Sequence, residues 1–290
     1  MPSDRAFLER QLADVELVPF TLDDFHRRRH RKRRNRRIGA TVLSLLLVAA
    51  VIGGVLQTES EGVTVASDGT SSTSGPSVTV PPAGAQDITD TDLEVVEPGM
   101  YFIDPDGDPS TPLRVTFEIS AEGWKSWIGA AKFTGPEQVG LSITTVTNVV
   151  RDGCRDHSAA VPPVGPTVDD LATALTELVP FEVTSPPSDV TVLGYRGKHL
   201  QLTVPDLPVR GQANRREFAE CTAGELHSWI APNLGGSFYG YNAEPGRTEE
   251  FWILDVDGTR LVLETNQSST SPPQDVAEMQ AIFDSIRIET

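Results

Sequence analysis

Cysteine, methionine and lysine are scarce in these 290 residues: two, three and four respectively. Two cysteines exclude a disulfide-dense miniprotein and a four-cysteine zinc module. Positive charge is short as well. Twenty-four Lys+Arg against 41 Asp+Glu leave a formal charge of −17, which excludes a chain whose whole surface grips nucleic acid. A phosphate-binding P-loop, a dinucleotide fingerprint and an H-E-x-x-H helix are all missing from the sequence, so no cofactor is expected. What remains is a chain with 38% apolar residues, enough for a sizeable core, and with 22 prolines and 24 glycines, which imply many turns and at least one linker.

The charge is unevenly spread. From Ile38 to Leu56 runs IGATVLSLLLVAAVIGGVL, nineteen residues without a charge; as a helix it spans roughly 28 Å, about one hydrocarbon core. A transmembrane helix is predicted at 38–56. The competing reading, a cleaved signal peptide, fits poorly because a 37-residue segment precedes the run and no small-x-small cleavage site follows closely. His26 to Arg37 holds nine Arg or Lys in twelve residues, whereas no basic residue follows Leu56 before Arg114. By the positive-inside rule, residues 1–37 form a cytoplasmic basic tail and the remainder lies outside the plasma membrane, in a single-pass topology. The tail carries 11 basic and 6 acidic groups, +5, which leaves −22 for residues 38–290.

Basic residues beside a bilayer gain about 1 kcal/mol each from anionic inner-leaflet lipids. The lipid bilayer is therefore the first partner expected of the tail, and a nucleic-acid partner is not expected. Phe7, Leu8, Leu12, Val15 and Val18 recur at helical spacing, so a short amphipathic helix could dock a cytoplasmic regulatory partner, although so short a helix is marginal alone. His26 and His30 sit among arginines and make poor metal ligands.

Residues 57–92 are mostly Ser, Thr, Gly, Pro, Asp and Val, a composition that reads as a disordered stalk. Residues 93–290 carry strand signals: Met100–Ile103, Leu113–Ile119, Val139–Val150, Lys198–Val204, Leu226–Ile230, Glu250–Val256 and Thr259–Glu264. Asp257-Gly258 between the last two predicts a tight hairpin. Two helices are expected. Thr167 and Asp170 form a capping box ahead of Leu171, Leu175 and Leu178, and Ser271-Pro272 opens a second helix that lines up Val276, Met279, Ile282, Phe283 and Ile286. The expectation is an α+β domain, an antiparallel β-sheet with flanking helices.

Three motifs carry a resemblance. Gly194-Tyr195-Arg196-Gly197-Lys198 is a GY-x-GK turn ahead of a strand, Trp252 to Gly258 reads WILDVDG, and Phe283 to Ile286 reads FDSI. With these, residues 95–290 resemble a widespread exported actinobacterial domain. More distantly, the order of elements is similar to PsbP-like and LpqN-like αβα sandwiches. The resemblance implies a fold and carries over no catalytic residue.

Cys154 and Cys221 lie beyond the predicted membrane span, where oxidation is permitted, and can pair within the chain only with each other; a disulfide is expected. The alternative is a Cys2His2 zinc site completed by His157 and His227. Asp104, Asp106 and Asp108 alternate as in a calcium loop, but Pro109 and Val115 occupy the positions where an EF-hand needs glycine and glutamate, so an acidic turn is expected. Glu249 and Glu250 read as solvent-facing charges. Gly235 to Gly240 fails the G-x-S-x-G pattern at Tyr239, which leaves Ser237 in a glycine-rich loop. His157, His199 and His227 are scattered and support no triad. Trp124, Trp127, Trp229 and Trp252, with Tyr239 and Tyr241, suit either a core or a carbohydrate-binding face. Asn266-Gln267-Ser268 matches a glycosylation sequon in pattern only.

The sequence thus predicts a membrane-anchored extracytoplasmic domain that binds or senses a cell-wall or small-molecule ligand, with no catalytic constellation. The rival classes are an envelope hydrolase whose site is dispersed in sequence and a structural cell-wall interaction protein.

Overall fold

The computed structural model describes residues 84–290, apart from 90–92, 135–136, 212–215, 233–236 and 242–243. All belong to the second of the chain's two units, residues 73–290. Among the described residues no helix is long and apolar enough to cross a membrane. The tail at 1–37, the span predicted at 38–56 and most of the stalk predicted at 57–92 lie outside them.

The first eight strands are β1 (Gln86–Asp87), β2 (Gly99–Ile103), β3 (Arg114–Ile119), β4 (Trp124–Trp127), β5 (Gly129–Thr134), β6 (Glu137–Thr145), β7 (Asn148–Asp152) and β8 (Asp156–Ala159). Helix α1 (Val168–Thr176) follows, then β9 (Glu182–Val192), β10 (Tyr195–Thr203), β11 (Val209–Arg210), β12 (Glu217–Phe218), β13 (Leu226–Ala231) and β14 (Ser237–Tyr241). The chain closes with β15 (Thr248–Val256), β16 (Thr259–Gln267), helix α2 (Pro273–Asp284) and β17 (Arg287–Glu289).

These elements overturn the α+β expectation. The described chain is dominated by strands in several sheets, with two helices of 9 and 12 residues. The discrepancy has a physical origin. Strands such as β5, which begins Gly-Ala-Ala-Lys, lack the β-branched enrichment that marks a strand locally, and β9 is interrupted by Pro186 and Pro187, so pairing with neighbouring strands supplies what the local signal does not. The predicted stalk is also shortened, because Gln86–Asp87 pairs in parallel with Tyr101–Phe102 and Ile88 is buried.

A seven-stranded antiparallel sheet, in the order β4-β5-β6-β16-β15-β10-β9, forms the centre. Its strand alternation divides the core in two. Leu200, Leu202, Phe251, Ile253 and Val262 face α1 and the smaller sheet β14-β13-β7-β8, meeting Leu171, Leu175, Val149 and Trp229. Leu141, Ile143, Leu254, Leu261 and Leu263 face the opposite way, toward α2 and the sheet β1-β2-β3-β17, meeting Phe117, Ile119, Met279 and Ile282.

Local signals set the boundaries. Asp257 and Gly258 adopt φ of 51° and 84° between β15 and β16, the left-handed pair that a tight hairpin requires. Leu193 and Gly194 do the same between β9 and β10, with φ of 55° and 88°. At Gly197 a Cβ would collide with the carbonyl of Ile253, so the close approach of β10 to β15 requires glycine. The Thr167 hydroxyl accepts from Asp170 N at 3.1 Å while the Asp170 carboxylate accepts from Thr167 N at 2.9 Å, a reciprocal cap on α1. Helix α2 starts one residue later than predicted. Its cap is Pro272, and Ser271 Oγ instead accepts from Ser268 N at 3.0 Å.

Candidate functional site

Where the central sheet runs out from under α2, its face changes character. On β10 the residues Gly197, His199, Gln201 and Thr203 share a face with Leu254, Trp252, Glu250 and Thr248 of β15, their partners in register. Toward the α2 end this face is apolar; toward β9 it is polar and partly open to solvent. His199 Nε2 lies 2.7 Å from Glu250 Oε1. The His199 ring is 5.1 Å from that of Trp252, which in turn lies 4.4 Å from Phe283 of α2. Thr184 Oγ1 on β9 donates to Gln201 Oε1 at 3.0 Å and meets Thr203 Oγ1 at 3.2 Å. Ser188 stands opposite His199, and its hydroxyl donates to the His199 carbonyl at 3.4 Å. An imidazole, a carboxylate, an amide, hydroxyls and an indole are thus held on three rigid neighbouring strands, a surface equipped to exchange hydrogen bonds with a bound molecule.

A second group of titratable side chains lies on the other side of the central sheet. Cys154 and Cys221 are joined in a disulfide, with Cα atoms 4.5 Å apart. Beside it the His157 and His227 rings stack with centroids 3.9 Å apart. His157 Nε2 donates to Gly153 O at 3.0 Å, and His227 Nε2 meets Glu225 Oε2 at 2.9 Å. Burial, and then the neighbouring His227, push the His157 pKa down against the opposing pull of Gly153 O, Glu225 and Asp152. The residues of the alternative zinc site are therefore close in the fold, but both sulfurs are committed to each other. Among the described residues no group of three His, Cys, Asp or Glu is arranged to hold a metal.

Other polar groups serve the interior. Glu249 is fully buried, contrary to the solvent-facing role predicted for it, and Glu264, also fully buried, accepts from Trp229 Nε1 at 2.8 Å. Arg247 bonds Asn266 and lies 2.7 Å from Glu244 Oε2. Burial of Asn266 in that contact keeps the sequon pattern out of reach. Lys132 of β5 ties Glu278 and Asp275 of α2 at 2.6 and 3.0 Å, and Trp124 Nε1 donates to the same Glu278 oxygen. Burial disfavours the Lys132 charge, yet its bonds to Glu278 and Asp275 outweigh this and raise its pKa.

The alternating aspartates form a turn that satisfies itself. Asp106 accepts from Asp108 N at 2.8 Å, and Asp108 accepts from Ser110 N at 3.0 Å. Asp104, buried, has its pKa pushed up to about 7 by desolvation and by sharing a hydrogen bond with Asp106, while Arg114, 3.6 Å away, opposes the rise.

Of the four tryptophans offered as core or platform, Trp124 and Trp229 are fully buried, and Trp252 is the one on the polar face. The backbone of Ser237 belongs to β14 and not to a loop. Sequence reasoning missed the His157–His227 stack and the His199–Glu250 pair. The alternation His199-Leu200-Gln201-Leu202-Thr203 signals a polar face on β10, but nothing local indicates that β15 is its neighbour.

No protein-family model and no curated protein matches the chain. Among solved structures it is similar to LpqN of Mycobacterium tuberculosis, described as involved in cell envelope biogenesis. That similarity is 11% identity over 70% of this chain and 95% of that one, with a TM-score of 0.24. Two backbones related by such a score share little superposable structure.

Proposed function

We propose that residues 84–290 form a binding domain held at the outer side of the plasma membrane, with its ligand face on β9, β10 and β15. The observation that carries this reading is the set of hydrogen-bonding side chains around His199, Glu250 and Trp252, on rigid strands and open to solvent. The uncharged run at 38–56 supports attachment, and the basic residues before it support a cytoplasmic N-terminus. The disulfide fits an oxidising exterior. In this arrangement the basic tail rests on anionic inner-leaflet lipids and offers a cytoplasmic regulator its docking segment.

Cell fractionation with protease shaving tests the reading. The chain should partition with membranes, and the Cys154–Cys221 domain should be digested from intact cells while the tail is protected. A soluble, protease-resistant chain would refute it.

One observation favours the hydrolase alternative: the His199–Glu250 pair has Ser188 opposite it in register. In that case Glu250→Gln should abolish ester hydrolysis by the purified protein, and no turnover in the wild type would dismiss it.

A further inference from the structure

The composition of the exposed face narrows its ligand class, an argument that rests on the binding reading above. The positions on β9, β10 and β15 that share this face include Glu182, opposite Thr203, and Glu250, but no lysine or arginine. An anionic polymer would meet two carboxylates and no cationic partner, so like-charge repulsion works against it. A wholly apolar ligand would cover Gln201, Glu250 and the threonine hydroxyls without replacing their bonds to water, which costs about 1–3 kcal/mol for each group left unsatisfied. A ligand that fits must both donate and accept hydrogen bonds at close spacing and must offer an apolar patch to an indole. Sugar rings have this pattern, with hydroxyls around the rim and C–H groups across a face.

The geometry is suited to that exchange. The Glu250 carboxylate is oriented by His199 Nε2 at 2.7 Å, and the Gln201 amide oxygen is oriented by Thr184 Oγ1 at 3.0 Å. The Gln201 amide nitrogen is free to donate outward in that arrangement, while Glu250 accepts. Gln201 and Glu250 face each other across β10 and β15, and His199 and Trp252 form the next cross-strand pair. Strands lie about 4.8 Å apart, and same-face residues on one strand are roughly 7 Å apart. The four side chains therefore span a patch that an extended chain of sugar rings can follow. Trp252 packs against Phe283 at 4.4 Å, which limits the side-chain entropy lost when a ring settles beside it.

We infer that this face binds an uncharged glycan strand, with one sugar ring against Trp252 and the hydroxyls of its neighbour on Glu250 and Gln201. The test uses the full-length protein in detergent and insoluble cell walls of the producing organism. The walls are taken intact, stripped of phosphate-linked anionic polymers, or digested with glycan hydrolases. Binding should survive stripping, disappear on digestion, and weaken at least tenfold in the Gln201→Ala/Glu250→Ala double variant. If that variant loses its melting transition, Gln201→Ala alone repeats the measurement, since it leaves the His199–Glu250 pair in place.

Wild-type binding that vanishes on stripping, that survives glycan digestion, or that is unchanged in a folded variant would overturn the glycan assignment while leaving an envelope-binding domain. Failure of the wild type to bind any wall preparation would overturn the glycan assignment and the wall-binding form of the function together. Membrane partition and protease shaving would still decide the attachment separately.

Discussion

The imidazole of His157 lies nearly flat on that of His227, with ring centroids 3.9 Å apart and planes inclined by 13°. A positive charge on His157 is opposed by burial and by the neighbouring ring, and Glu225 and Asp152 offset this only in part. The stack joins β8 to the start of β13 beside the disulfide, so protonation of His157 bears on the stability of that corner.

Burial, and then His227, hold the His157 pKa below its ordinary value of 6.5 in the folded state. The unfolded chain then binds the proton more readily, and stability falls as pH drops below about 6.5. Asp104 titrates with the opposite sign over part of the same range, so the check is the slope of melting temperature against pH, in which His157→Phe should gain on the wild type as pH falls from 7.5 to 5. An unchanged slope in that variant would show that the stack does not govern it.

Asp104 works with the opposite sign. Its folded pKa of about 7 stands above the usual 3.8, so the folded state holds the proton longer and stability is lost as pH rises from about 4 to 7. Asp104→Asn keeps the shape and removes the ionisation. In denaturant titrations the variant should gain on the wild type progressively through that window and level off above it, whereas a constant difference at all pH values would refute the assignment.

The disulfide joins residues 67 positions apart. In the chain-entropy treatment a loop of that length contributes about 4 kcal/mol. Cys154→Ser with Cys221→Ala should lower the urea midpoint accordingly, and adding a reducing agent to the wild type should reproduce the loss. A midpoint that moves by less than about 1 kcal/mol equivalent would mean the crosslink is redundant with the packing around it.

Lys132 is the cation that two acidic residues of α2 share with β5. Lys132→Met preserves the stem and strands Asp275 and Glu278 close together, with an expected cost of about 2–3 kcal/mol. The double variant Asp275→Asn/Glu278→Gln should restore part of that loss in the Lys132→Met background. Equilibrium unfolding of the four proteins gives the coupling, and strictly additive effects would refute it.

Some of this molecule is legible along the chain and some only across it. The Asp257-Gly258 hairpin and the Thr167–Asp170 cap are local devices, encoded within a few residues, and both are present. The disulfide followed from having two cysteines on the predicted outer side. Glu249 and Glu250 look alike in sequence, yet one is buried and the other pairs with His199, because strand alternation sends neighbours to opposite faces. The expected α+β balance failed for a related reason. β5 has no β-branched run and β9 is broken by Pro186 and Pro187, so each is completed by its hairpin neighbours, β4 and β6 for the one and β10 for the other. The polar face combines both cases: β10 announces its alternation, but 44 residues, 204–247, separate it from β15, and nothing local names that partner.

Strand β9 ends the central sheet with eleven residues along an open margin, and Pro186 and Pro187 fall in its middle. Successive residues of a strand turn their N–H groups to opposite sides, so the pair removes one N–H from the outer row that a foreign strand would need to grip. An unguarded margin of that length would invite copies to zip together edge to edge and bury the adjoining polar face. The paired prolines break that margin, so the sheet can leave one side uncovered without offering a full-length edge to another strand.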